Sequence, residues 1–230
     1  MVFDTGYMLI VILTAAVGGL IGFILRAKIK KYSNVPISAG ITGAEVARRM
    51  LEHYGLYDVQ VVEGRGVLTD HYNPRTKTIS LSPEIYRGRT IASTAVAAHE
   101  CGHAVQHAEA YQWLEMRSAI VPLVQFSARA QQWVLIGAFA GVSAGLGNIL
   151  LLACVFLFSI TAFFSVITLP VEFDATKRGL AWLDSSGIAR GSEHDGARDA
   201  LKWAAMTYVA AAMSAMIMVL YLISKMGNRR

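Results

Sequence analysis

Hydrophobic and polar residues segregate along this chain into long blocks instead of alternating turn by turn. Residues 5–25, 133–169 and 206–224 contain no charged side chain. A bilayer core about 30 Å thick takes roughly 20 helical residues to cross. The first and last blocks, 21 and 19 residues, fit one span each, and the 37-residue middle block suits two. Gly145-Leu-Gly-Asn148 is the expected break inside the middle block, because glycine and asparagine tolerate turns that Leu and Val resist. The pattern predicts about four transmembrane helices: helix 1 at 5–25, a helical hairpin (helices 2 and 3) at 133–169, and helix 4 at 206–224.

Residues 26–132 are polar and change period quickly. Thr42-Gly-Ala-Glu45 has capping-box spacing and opens a helix expected to stop at Gly55. Three strand-like runs follow, at 57–63, 67–72 and 77–82, the last two joined as a hairpin by Asn73-Pro-Arg-Thr76. Ser82-Pro83 can start a helical turn. A long alanine-rich helix is expected from about 90 to about 116, with Gly102 its weak point, and residues 118–132 lead amphipathically toward the membrane. After the middle block, 170–205 reads as a second polar helical segment with a loop near 185–196.

Composition agrees with a membrane chain: 54% of residues are hydrophobic and only 16% charged. The net charge of +5 needs no nucleic-acid partner, since basic residues beside spans meet anionic lipid and no aromatic-basic interleaving occurs. Arg26, Lys28, Lys30 and Lys31 follow the first apolar block, which makes it a retained anchor with these charges on the cytoplasmic side. Cys101 and Cys154 form no disulfide framework.

The chemistry is concentrated at His99-Glu-Cys-Gly-His103, a His-Glu-x-x-His match. Residues four apart share a helix face, so His99 and His103 can offer ring nitrogens to one Zn²⁺ ion. Glu100 flanks that face and is the expected general base toward metal-activated water. Gly102 allows another element to pack closely. A catalytic site wants a third protein ligand, and Glu172, Asp174, His107, Glu193 and His194 are available. His107 shares the stripe of His103, but three ligands in line along one straight helix cannot surround an ion. Glu172 fits by topology: if the middle block folds back, the chain returns to the face it left and Glu172 emerges beside the motif. An interfacial acid at a helix start is the plainer reading of the same residue. The hairpin 67–82 could hold an extended substrate by edge-strand pairing. Asp70 and His71 near it are candidate substrate-binding residues, with His71 a possible oxyanion donor and turn stabilisation the plainer alternative.

Three segments carry a resemblance across essentially the whole chain: Asp70-His-Tyr-Asn-Pro74, His99-Glu-Cys-Gly-His103-Ala-Val-Gln-His107 and Leu169-Pro-Val-Glu-Phe-Asp-Ala175. Together they resemble the YugP-type neutral zinc metallopeptidases, and more distantly the HtpX-like membrane proteases. The resemblance implies one zinc ion on His99, His103 and Glu172, with Glu100 as base. It departs from HtpX-like spacing downstream of Glu172, which leaves the role of Asp174 open. The expected molecule is an α+β integral membrane protein with a small zincin-like cytoplasmic domain at 26–132 and a cytoplasmic segment at 170–205 carrying the third ligand. Its expected activity is zinc metalloendopeptidase cleavage of peptide or membrane-protein substrates at the cytoplasmic face of the cell membrane. The alternatives are an intramembrane metalloprotease, disfavoured by the charges flanking the motif, and a non-catalytic zinc-binding scaffold.

Overall fold

A computed structural model describes residues 4–141 and 147–227. The break expected at 145–148 therefore lies partly outside the described residues. Seven helices and three strands follow in the order α1 (Thr5–Ser33), α2 (Gly43–His53), β1 (Gln60–Glu63), β2 (His71–Asn73), β3 (Thr78–Leu81), α3 (Pro83–Arg87), α4 (Ile91–Ala108), α5 (Gln112–Gly141), α6 (Gly147–Ser185) and α7 (Ser192–Gly227). Among the described residues three helices are long and apolar enough to cross a membrane: Thr5–Ser33, Ile149–Ser185 and Ser192–Met226. The residues expected to form the second span fall partly at the end of α5, which is not one of these three, and partly outside the described residues.

The chain divides into two compact units. One gathers the apolar start of α1, most of α5, the first part of α6 and the second part of α7. Its described core is built on Leu151, Cys154, Met218 and Leu222. Within it the Gln131 amide donates to the Leu157 carbonyl (2.9 Å) and the Thr161 hydroxyl (2.9 Å), which satisfies a polar group in apolar surroundings.

The other unit comprises Gly22–Glu115 and Pro170–Met206 and carries the candidate chemistry. Its three-stranded sheet has the order β1-β3-β2, with β1 parallel and β2 antiparallel to β3. Alternation along β3 buries Ile79 and Leu81 in a core shared with Val46, Met50, Ala95, Trp182 and Leu183. The capping box at Thr42 and Glu45 is formed, and α2 ends where Gly55 adopts φ 69°.

Several expectations need correction. The long helix at 90–116 is two helices, because Ala110 takes the left-handed conformation (φ 51°) and closes a Schellman cap. The Tyr111 N–H bonds the Gln106 carbonyl at 2.9 Å and the Ala110 N–H bonds the His107 carbonyl at 3.2 Å. The apolar block and the polar segment after it share one helix: Pro170, where the second unit begins, removes one helical N–H, yet α6 runs through it to Ser185. The loop expected at 185–196 is shorter, since α7 already begins at Ser192. The run at 67–72 becomes a strand only from His71, because Gly66 and Leu68 adopt φ 96° and 55° and Thr69 bonds back to the Arg65 carbonyl.

Candidate metal centre

The site begins with a close approach of two helices. A Cβ added to Gly102 of α4 would lie 2.4 Å from the Ala175 carbonyl oxygen of α6, and one added to Gly179 of α6 would lie 2.9 Å from Ala98. No side chain larger than hydrogen fits at either position. These two glycines seat the backbones against each other and bring Glu172, one turn before Thr176, over the imidazole pair.

His99, His103 and Glu172 offer ligand atoms that all lie within 4.8 Å of one another. Glu172 Oε2 is 3.4 Å from His99 Nε2 and 3.6 Å from His103 Nε2. Tetrahedral zinc with ligand bonds of about 2.0–2.1 Å places its ligand atoms roughly 3.3–3.4 Å apart. The two carboxylate–imidazole distances match this to within a few tenths of an ångström and are too long for a good hydrogen bond.

The other ring nitrogens indicate which atoms face the centre of this group. His103 Nδ1 meets Gln106 Oε1 at 3.0 Å. Gln106 is fully buried, and its amide nitrogen donates to the Val171 carbonyl (2.8 Å) and to Asp174 Oδ2 (2.8 Å). With both amide hydrogens engaged, its oxygen must accept, so His103 carries its proton on Nδ1 and presents a lone pair at Nε2. His99 Nδ1 lies 3.1 Å from the Thr176 hydroxyl, a compatible arrangement. Asp174 also binds Arg178, which reaches Glu109 at the end of α4 and so ties the two helices beyond the site. Gln106 and Thr176 do not stand out in the sequence. The one signal for Gln106 is its place three residues after His103 on the same helix face.

Glu100 is buried, with 7% of its surface exposed. Burial pushes its carboxyl up to about 7 in the metal-free protein; His99 opposes the rise, and Glu172 and Asp70 add to it. Of the remaining candidates, Asp70 Oδ1 accepts from the Ser82 N–H (2.7 Å) and hydroxyl (3.0 Å), pinning β2 to the start of α3. His71 is exposed and its Nδ1–H donates to the Thr69 carbonyl at 2.8 Å. A neutral His71 thus has only an acceptor left at Nε2, and it can donate to an oxyanion only as the imidazolium. His107 pairs with the Tyr72 hydroxyl of β2 at 2.8 Å, where burial pushes Tyr72 up to about 12. Glu193 accepts from Ser38 and His194 faces the Leu180 carbonyl, so neither joins the group.

A prediction follows from the Gln106 amide. Gln106→Ala frees the His103 ring and leaves the Val171 carbonyl without its donor, and zinc affinity is expected to fall about 10–100-fold. Titration against a chelator of known affinity measures it.

The model of a family described as "Putative neutral zinc metallopeptidase" matches residues 7–227. A Bacillus subtilis (strain 168) protein named "Putative membrane protease YugP" is 42% identical over 226 residues, covering 97% of this chain and 99% of that protein. No solved structure matches. With the family model spanning nearly the whole sequence and a full-length relative beside it, the chain belongs to this family of neutral zinc metallopeptidases, and its His99, His103 and Glu172 group is one that can hold the zinc.

Proposed function

We propose that this protein is a membrane-anchored zinc metalloendopeptidase acting at the cytoplasmic membrane face on unfolded or membrane-protein segments. His99, His103 and Glu172 hold one zinc ion and Glu100 is the general base. The observation that carries this reading is the Glu172 carboxylate within 3.4–3.6 Å of both Nε2 atoms. Glu172 follows the uncharged stretch ending at Leu169 by three residues of one helix, about 4.5 Å of rise, so the site lies at the membrane boundary.

Bound zinc supplies Lewis acidity toward a peptide carbonyl and acidifies the water it binds. Glu100, adjacent to His99 on α4, takes the proton of the attacking water and returns it to the departing amine. Its buried setting supports this, because a carboxyl near neutrality can both accept and release a proton. The outer edge of β2, unpaired with other strands in the sheet, is the place where an extended peptide can add. The group has three protein ligands among the described residues, which suits a catalytic site better than a structural one with four.

Metal removal tests the proposal. Protein stripped with a chelator is expected to lose cleavage of an unfolded polypeptide more than 100-fold and to regain it with one equivalent of Zn²⁺. Cleavage that persists without metal would rule the mechanism out.

A further inference from the structure

Where α1 leaves its apolar stretch, it forms one wall of a cavity of about 390 Å³ that plays no part in the chemistry above. Arg26, Ile29 and Lys30 line it from α1, and Val67, Leu68 and Glu84 line it from the residues around β2 and α3. Arg26 and Lys30 stand four apart on one helix face and are both exposed. Neither makes an ion pair among the described residues, whereas their neighbour Lys28 is paired with Asp199 at 2.7 Å.

The depth of this cavity follows from α1 itself. Arg26 is the first charged residue after 21 uncharged ones. Lys30 lies about 6 Å further along the helix axis. A headgroup layer is roughly 5–8 Å deep on each side of the hydrocarbon core. If α1 is a span, the two cations bracket that layer. The facing residues must lie at the same level, and there the loop exposes apolar surface: Val67 is 75% and Leu68 43% exposed. Leu68 adopts φ 55°, a left-handed conformation that leucine rarely takes. An apolar tip opposite two cations, at headgroup depth, matches a lipid that is charged above and apolar below. Two cations and one carboxylate leave the cavity with a single net positive charge, equal and opposite to one phosphodiester.

We propose that this cavity binds the headgroup of an anionic phospholipid, its phosphodiester between Arg26 and Lys30 and its acyl region against Val67 and Leu68. The loop then docks on the bilayer surface. Because it continues directly into Asp70 and His71, docking fixes the substrate side of β2 against the membrane.

The test uses the full chain in phosphatidylcholine nanodiscs carrying a trace of spin-labelled phosphatidylglycerol or spin-labelled phosphatidylcholine. The immobilised fraction is expected to favour phosphatidylglycerol about five- to tenfold. Arg26→Gln with Lys30→Gln is expected to abolish that preference while thermal unfolding and zinc content stay unchanged. In a separate variant, Leu68→Trp, indole emission is expected to be quenched by brominated acyl chains. Inorganic phosphate at millimolar concentration is expected not to displace the labelled lipid. Equal association of the two lipids, an undiminished preference in the double variant, or an unquenched indole would overturn the proposal. So would displacement of the label by a peptide substrate, which would assign the cavity to substrate instead.

Discussion

Glu100→Gln is expected to keep its zinc and lose peptide hydrolysis by about 10²–10⁴-fold, the usual contribution of a positioned acid–base group. Glutamine has the same shape, so the packing of α4 and the two imidazoles are undisturbed, but its amide takes no proton. Two measurements check this together: zinc content of the purified variant, and cleavage of an unfolded substrate under saturating metal. Hydrolysis at the parental rate would remove Glu100 from the mechanism. The same variant has a second signature in the metal-free protein. Burial raises the Glu100 carboxyl from 4.5 to about 7, so the folded state holds its proton where the unfolded chain has released it. Stability from this group is therefore full below pH 4.5 and is lost as pH rises toward 7. Across that window Glu100→Gln is expected to gain stability over the metal-free parent, on the order of a few kcal/mol. Zinc removes the difference by favouring the carboxylate.

The second large effect comes from a residue that touches no metal. Gly102→Ala is expected to destabilise the protein by ~1–3 kcal/mol and to weaken zinc binding at least tenfold. The added methyl would sit 2.4 Å from the Ala175 carbonyl oxygen, a backbone atom that cannot swing aside. Relief requires α6 to back away from α4, which draws Glu172 off the imidazole pair. Helix propensity alone favours alanine by about 1 kcal/mol, so the sign of the result is informative. Gly22→Ala is the control, since a methyl group there would meet nothing within 4 Å and no loss is expected. Thermal unfolding and a chelator titration on both variants make the comparison. Equal behaviour of the two glycines would contradict the packing account.

What the sequence disclosed depended on whether a residue announced its role by type. The capping box at Thr42 and Glu45 and the stop at Gly55 were legible because those residues have few other uses. The stop at Ala110 was not: the same Schellman geometry closes α4, but alanine normally continues a helix, and nothing in its type announces a φ of 51°. At Pro170 the change from apolar block to polar segment was legible, but the continuity of the helix was not, since one missing N–H leaves α6 unbroken. At the centre, His99, Glu100 and His103 declared themselves by spacing. Glu172 could be argued from the fold-back of the apolar middle block. Gln106 and Thr176 escaped notice because a glutamine or threonine on a helix is commonplace. Their significance lies in where their oxygens point.

The account stands on Glu172 closing a site opened by two histidines 69 or more residues earlier in the chain. Zinc affinity of Glu172→Ala, read by chelator competition beside the parent and His103→Ala, tests that most directly. Both variants are expected to bind zinc at least 100-fold more weakly than the parent. Parental affinity in Glu172→Ala, with the loss confined to His103→Ala, would show that the third ligand lies elsewhere.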